Sequence, residues 1–307
     1  MIVTLTLNPA FDVHCQIQNL IPLKENFATV ISKEAGGKGL NVSRALGNSG
    51  VENTALIIVG KSNEDAFKKK ATSPLVNCEY LSVDGNIREN YTLHHQDGKE
   101  TRISFDGFTC PDGIVDLIKE KLSLLGDGDV VAVTGSISKG IDKDKIICLL
   151  KELKEKGVKI IIDSRSFTLS DIQEIKPWFI KPNNQEIEEY LGVKVNTVEE
   201  GLKASQTLYG LGVQNAMVSL GGLGAVITSD NKSYYIKSPT IEVKSTIGAG
   251  DSLIAGYIHG YVKGLNNEEW LKTAIAFGTG ACLTEGTNPP SMQTILEIKE
   301  KVQIYNY

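Results

Sequence analysis

The stretch "STIGAGDSLIAGYIHGYVKG", Ser245 to Gly264, decides how the rest of the chain is read. Leu253 and Ile254, Tyr257 and Ile258, and Tyr261 and Val262 recur four residues apart, the spacing of a helix with one apolar stripe. Its start is unusual: Gly248, Ala249 and Gly250 are followed at once by Asp251. Glycine-rich backbone lets N–H groups point outward together at a helix N-terminus, where the dipole adds positive potential and favours an anion. Asp251 sets a negative charge beside that anion. A carboxylate in the first turn is also an ordinary helix cap, so the stretch by itself leaves both readings open.

Outward from this helix the chain alternates strands and helices. "IVTLTL", "TALIIV", "DVVAVTG", "VKIIID" and "AMVSLGG" read as strands, with helices over Gly39 to Asn48 and Lys143 to Lys156. Such β-branched runs between helices imply an α/β fold with a mostly parallel sheet covered on both faces. Residues 11–34 and 79–106 break the rhythm with alternating, strand-like patterns, and Asp97-Gly98 is a hairpin turn signal. The two insertions are expected to form one small β-sheet that covers a site, within a single domain spanning residues 1–307.

Composition narrows the function class. Apolar residues at 41% and charged residues at 22% describe an ordinary globular chain. A net charge of −5 argues against nonspecific nucleic-acid binding, which needs a broad basic field, so any anionic ligand requires a local positive site. The five cysteines lie far apart with no C-x-x-C pair, which suits reduced thiols and a cytoplasmic location. "MIVTLTLNPAFDV" lacks a basic n-region and reads as a strand rather than a signal peptide, and no segment reads as a membrane span.

The common nucleotide signatures are missing. There is no G-x-x-x-x-G-K-[ST], and Gly248-x-Gly250 lacks a third glycine because Leu253 stands there. A second glycine-rich helix start does occur in "AGGKGLNVSRAL", Ala35 to Leu46, where Gly36, Gly37, Lys38 and Gly39 precede Asn41. It reads either as a loose turn with a solvated lysine or as a sugar or phosphate site built from N–H groups and an ammonium.

Together, "GGKGLN" and "STIGAGDS" resemble the two signature regions of the ribokinase-like (PfkB-type) carbohydrate kinases, and the likeness covers essentially the whole chain. The opening "LTLNPAFD" and "VTGS" after the central strand narrow it to the branch that phosphorylates sugar phosphates: 1-phosphofructokinase, tagatose-6-phosphate kinase and the minor 6-phosphofructokinase. The resemblance implies a three-layer sandwich with a small β-sheet lid. It also implies ATP and Mg²⁺ as cofactors, a sugar phosphate as substrate, and either a monomer or a lid-paired homodimer.

Residue by residue, the likeness makes Gly248, Ala249 and Gly250 an anion hole and Asp251 the catalytic base. "KPNNQE" resembles the family's N-x-x-E element, so Asn183 and Glu186 would organise Mg²⁺ through water, with Lys181 and Asn183 near the nucleotide. The same residues also read as a plain helix start after Pro182. Ser219, Gly221 and Gly224 of "SLGGLG" resemble the turn that borders the nucleotide, though they equally describe a tight hairpin. Asp12, Gly37 and Asn41 match sugar-binding positions, while Lys38, Arg88, Arg102 and Ser136 stand where relatives meet the sugar's phosphate. Ser245 and Ile247 fall where some relatives hold a monovalent cation, here K⁺, through backbone carbonyls.

One departure is that the family's Gly-Ser-Leu-Pro element is "GSISKG", with Ser138 replacing proline, which puts that loop's rigidity in question. The lysines of "KSNEDAFKKKATSPLVN" read as a solvated helix face. The leading expectation is phosphorylation of fructose 1-phosphate at O6, with tagatose 6-phosphate phosphorylated at O1 as the alternative. A 6-phosphofructokinase and a non-catalytic sugar-nucleotide-binding regulator stand behind these. Lys38, Arg88 and Arg102 disfavour a nucleoside kinase, whose substrate brings no phosphate.

Overall fold

A computed structural model describes residues 1–307. The chain opens with β1 (Ile2–Thr6), whose five residues are all buried, and passes into β2 (Ala10–Ile17) and β3 (Ala28–Gly36) of a separate sheet. It returns through α1 (Lys38–Asn48), β4 (Asn53–Gly60), α2 (Glu64–Ala71) and β5 (Val76–Val83), then departs again as β6 (Arg88–His95) and β7 (Glu100–Ser104). Next come α3 (Ile114–Lys121), β8 (Val130–Thr134), α4 (Lys143–Glu155), β9 (Lys159–Asp163), α5 (Leu169–Ile175), β10 (Phe179–Ile180), α6 (Asn184–Leu191) and α7 (Val198–Gly210). The remaining elements are β11 (Asn215–Ser219), β12 (Gly224–Ser229), β13 (Lys232–Lys237), α8 (Ala249–Val262), α9 (Asn267–Ala281), α10 (Met292–Lys299) and β14 (Gln303–Asn306).

Ten strands form the large sheet in the order β14-β13-β12-β11-β10-β9-β8-β1-β4-β5; it is parallel from β11 to β5 and antiparallel at the β12–β14 edge. Successive strand residues serve opposite faces. Val131 and Val133 of β8 pack on the side of α4 and α7, whereas Val130 and Ala132 pack on the side of α8 and α9. The sheet is therefore buried on both sides, as its unbroken apolar runs require.

The smaller sheet has the order β3-β2-β6-β7, and its β6–β7 hairpin turns at Asp97-Gly98 with Gly98 at φ 81°. Period two aims Phe11 and Val13 of β2 into the core while Asp12 faces the other way. Phe11 meets Phe67 of α2 edge to face at 5.5 Å, which anchors the base of this sheet. The structure corrects one boundary. Residues 79–83 belong to β5 at the edge of the large sheet, because that run is a parallel neighbour of β4 rather than part of the insertion.

The single apolar stripe expected for α8 is also corrected. Every residue from Asp251 to Gly260 is buried, because the face opposite the stripe is made of small residues that admit α9. A Cβ at Gly256 would lie 2.8 Å from the Phe277 ring, and one at Gly260 would lie 2.2 Å from Trp270. Tyr257 stacks on Phe179 of β10 at 3.8 Å, and its carbonyl accepts from Trp270 Nε1 at 2.6 Å. Burying an aromatic or aliphatic side chain of this size stabilises by about 1.5–3 kcal/mol, so the N-terminus of α8 is fixed by a densely packed body. No helix is long and apolar enough to cross a membrane, and all five cysteines are free.

Candidate active site

A cavity of about 570 Å³ opens at the C-terminal ends of β1, β8 and β9, under the polar face of the small sheet. Crevices at the carboxyl ends of parallel strands are where open α/β sheets bind ligands. The cavity collects Asp12, Gly37, Lys38, Asn41, Arg88, Arg102, Ser136, Lys181, Asn183, Glu186, Ile247, Gly248, Gly250 and Asp251, residues drawn from stretches scattered along the chain.

Asp251 lies in the first turn of α8, behind Gly248 at φ 77°. The capping reading fails: α8 has no side-chain cap hydrogen bond, and Asp251 Oδ2 instead accepts from Asn41 Nδ2 at 2.9 Å. Burial pushes the Asp251 carboxyl up to about 6, against the opposing pull of Lys38 and the Asn41 hydrogen bond. The backbone N–H groups of Gly248, Gly250 and Asp251 make no hydrogen bond inside the protein, whereas that of Ala249 reaches the Thr246 carbonyl at 3.4 Å. The free donors are thus shifted from the expected 248–250 set, because a tight turn at 246–249 uses the middle one.

At the other glycine-rich start, Gly37 adopts φ 132° and a Cβ there would meet Thr6 Cγ2 at 2.5 Å, so no other residue fits that approach. Lys38 follows, and its ammonium reaches Asp163 Oδ2 at 2.9 Å. Burial would lower Lys38, but the carboxylates of Asp163 and Asp251 outweigh it and raise it above the ordinary lysine value. Lys181 approaches the other oxygen of Asp163 at 3.4 Å. The three cations expected at the sugar's phosphate all line the cavity, but their partners within the protein differ. Lys38 is committed to Asp163, Arg102 sits 3.3 Å from Glu100, and Arg88 alone of the three has no carboxylate at ion-pair distance.

Asp12 accepts from Asn90 Nδ2 at 3.0 Å across the β2–β6 pair, and burial raises its carboxyl. Ser136 accepts from Asn8 Nδ2 at 2.9 Å. The loop without its proline is pinned another way: Ser138 Oγ donates to the Leu7 carbonyl at 2.7 Å, and Ile137 N–H donates to Ser166 Oγ at 3.0 Å.

Asn183 and Glu186 form a capping box on α6, with Asn183 N–H to Glu186 Oε2 at 3.0 Å and Glu186 N–H to Asn183 Oδ1 at 2.9 Å. Arg165 Nε donates to Glu186 Oε1 at 3.2 Å. The plain helix-start reading is therefore correct as geometry, yet both residues also line the cavity. No three acidic, histidine or cysteine side chains cluster as a metal cage. Mg²⁺ retains several waters and uses one or two carboxylates plus phosphate oxygens, a donor set that Glu186 and Asn183 can supply beside bound phosphates.

Ser219 bridges to Asn183, which lines the cavity, but Ser219, Gly221 in the short 3₁₀ turn after β11, and Gly224 at the start of β12 do not line it. Gly224 answers a packing need, since a Cβ would fall 2.1 Å from the Ile236 carbonyl. Ser245 lines an adjoining cavity of about 820 Å³, where its Oγ accepts from Ile247 N–H at 3.2 Å. The lysines of α2 line neither cavity. Sequence reading missed Asp163, Asn90, Thr6 and Thr134. For Asp163, Thr6 and Thr134 the only sequence signal is position at the carboxyl end of a strand; Asn90 lies within β6 and carries none.

Six buried side-chain polar atoms lack any hydrogen-bond partner, and five of them belong to cavity residues: Thr6 Oγ1, Asn41 Oδ1, Arg88 Nε, Asn90 Oδ1 and Thr134 Oγ1. Orphaned buried polar atoms are costly and rare. Their concentration here describes walls shaped for a polyhydroxyl, anionic ligand.

The chain is similar to known carbohydrate kinases over nearly its whole length. Residues 19–295 match the pfkB family of carbohydrate kinases. The 1-phosphofructokinase of Haemophilus influenzae is 30% identical over 99% of this chain and 97% of its own length, and that of Bacillus subtilis is 30% identical over 97% and 99%. A crystal structure of Escherichia coli phosphofructokinase-2 in complex with substrates and products superposes with a TM-score of 0.88 at 23% identity, covering 98% of each chain, which shows the shared fold. The protein is an ATP-dependent sugar-phosphate kinase, and its chain belongs to the pfkB family of carbohydrate kinases.

Proposed function

We propose that this kinase transfers the γ-phosphoryl group of ATP to O6 of fructose 1-phosphate, giving fructose 1,6-bisphosphate. The observation that carries the reading is Asp251, a buried carboxylate that adjoins free helix N-terminal N–H groups in the cavity holding five orphaned polar atoms. Asp251 takes the proton of the acceptor hydroxyl, a role suited to a base raised to about 6 and ionised at neutral pH. The N–H groups of Gly248, Gly250 and Asp251 hold the oxygens of the transferred group. Asp12, Asn41 and Asn90 accept from the sugar hydroxyls, Asn41 and Asn90 through their unpaired Oδ1 atoms. Arg88, Arg102 and Ser136 hold the phosphate the sugar already carries, with Arg88 the free cation for it.

The nucleotide lies toward Lys181, Asn183 and the Ser219–Gly224 turn. Mg²⁺, when bound near Glu186, supplies charge neutralisation between the phosphates. A monovalent cation at the Ser245 and Ile247 carbonyls, and a lid role for the small sheet, belong to the same proposal. Exposed Val30 and Ile31 of β3, with Phe27 just before β3 and Phe105 just after β7, favour pairing of two copies there over a monomer.

The choice of fructose 1-phosphate follows the relatives named 1-phosphofructokinase. ADP release with fructose 1-phosphate, tagatose 6-phosphate and fructose 6-phosphate, compared as kcat/KM, tests it. The proposal requires the highest value for fructose 1-phosphate. A higher value for either other sugar reassigns the substrate, and no ADP with any of them moves the acceptor to another sugar phosphate.

A further inference from the structure

Asp163 ends β9 at 4% exposure, and each of its carboxylate oxygens faces an ammonium: Oδ2 meets Lys38 at 2.9 Å and Oδ1 meets Lys181 at 3.4 Å. The lysines arrive from different elements, one at the start of α1 and one just after β10. They also flank the start of α8. Lys38 lies within the field of Asp251, and a Cβ placed on Gly250 would stand 3.0 Å from Lys181 Nζ. The groups facing Asp251 are therefore Asn41 and Lys38 from α1, Asp163 from β9, and Lys181.

We propose that Asp163 is a positioning residue for phosphoryl transfer: its carboxylate holds both ammoniums on its own side of the cavity, so that neither closes onto Asp251. The physical reason is charge balance in a site with little water. Two lysines and two carboxylates meet there, and an attraction between opposite charges grows as the local dielectric falls. Without Asp163, the buried carboxylates left to the lysines are Asp251 and Glu186, and Glu186 already pairs with Arg165; a base paired tightly with an ammonium is a poor proton acceptor. Burial by itself would raise Asp163, but the two lysines overcome this and hold it ionised, as the role requires. The inference rests on Asp251 being the base of the proposed reaction.

The test is the pH profile of kcat with whichever sugar phosphate the wild type turns over best. In Asp163→Asn, kcat should fall by about 10- to 100-fold, the scale of a misplaced group beside the reacting atoms, with both KM values within about threefold. The acid limb should move to lower pH, because Asp251 loses a neighbouring negative charge and gains a released ammonium, both of which stabilise its charged form. Lys38→Met should move the limb the opposite way. A limb that stays in place in Asp163→Asn, with kcat lost uniformly, overturns the proposal. If that variant does not fold, Asp163→Glu keeps the charge and displaces it by one methylene. It should retain the limb and lose kcat, whereas full kcat or a shifted limb overturns the proposal. Asp251→Asn separates the two layers of the argument: if it keeps both turnover and limb, the reading of the base has failed rather than that of Asp163.

Discussion

Asn41 Nδ2 donates to Asp251 Oδ2 at 2.9 Å, joining the first turns of α1 and α8 across 210 positions of the chain. The bond ties the two glycine-rich helix starts into one site and leaves Asn41 Oδ1 buried without a partner. A hydrogen bond to the ionised carboxylate favours that form, so removing it raises the carboxyl further. The Asn41→Ala variant should therefore show an acid limb of kcat at higher pH than the wild type. Rate measurements between pH 5 and pH 8, on the order of the His titration range, check this; a limb at unchanged pH would separate Asn41 from the base.

Arg88 enters the cavity without a carboxylate at ion-pair distance, and its Nε has no partner. Arg88→Ala should raise KM for the sugar phosphate by roughly 30- to 150-fold, the equivalent of about 2–3 kcal/mol for a lost charge-assisted contact, and leave KM for ATP nearly unchanged. Arg88→Lys should recover only part, because the planar fork is lost. A larger effect on ATP would reverse the division of the cavity.

Glu186→Gln preserves the capping box, since a glutamine oxygen can still accept the Asn183 N–H, but it removes the charge. The Mg²⁺ concentration for half-maximal rate should rise while the melting temperature stays close to wild type. An unchanged Mg²⁺ dependence would confine Glu186 to holding the start of α6.

Gly36→Ala tests the sugar side without removing any charge. A Cβ at Gly36 would fall 2.0 Å from Asp12 Oδ2, so the aspartate must turn away from its present place. KM for the sugar phosphate should rise by about 10-fold or more, the cost of displacing one substrate-orienting group, with KM for ATP preserved. Equal KM values for the variant and the wild type would show that Asp12 does not bind the sugar.

Much of this was legible in the sequence because glycine patterns and strand periodicity are local signals. Gly37 and Gly248 announce two helix starts with positive φ, and β1, β8 and β9 announce a buried parallel sheet. Asp163 was not legible, since an aspartate ending a β-branched strand looks like any strand terminus until Lys38 and Lys181 fold onto it from 125 positions before and 18 after in sequence. The Asp163 partner of Lys38 was hidden for the same reason. The boundary at residue 79 failed because β5 is an edge strand whose mixed pattern of burial resembles that of the small sheet. The full burial of α8 was hidden because Gly256 and Gly260 carry no hydrophobic signal, although they are what lets α9 approach.

The most direct test of the central claim is the turnover of Asp251→Asn with saturating fructose 1-phosphate and ATP in the presence of Mg²⁺. Asparagine matches the size of the aspartate and cannot take the proton, so folding and both KM values should hold while kcat falls by about 10²–10⁴-fold. Turnover close to the wild-type value would contradict the account, because the buried carboxylate at the start of α8 would then have no part in the chemistry.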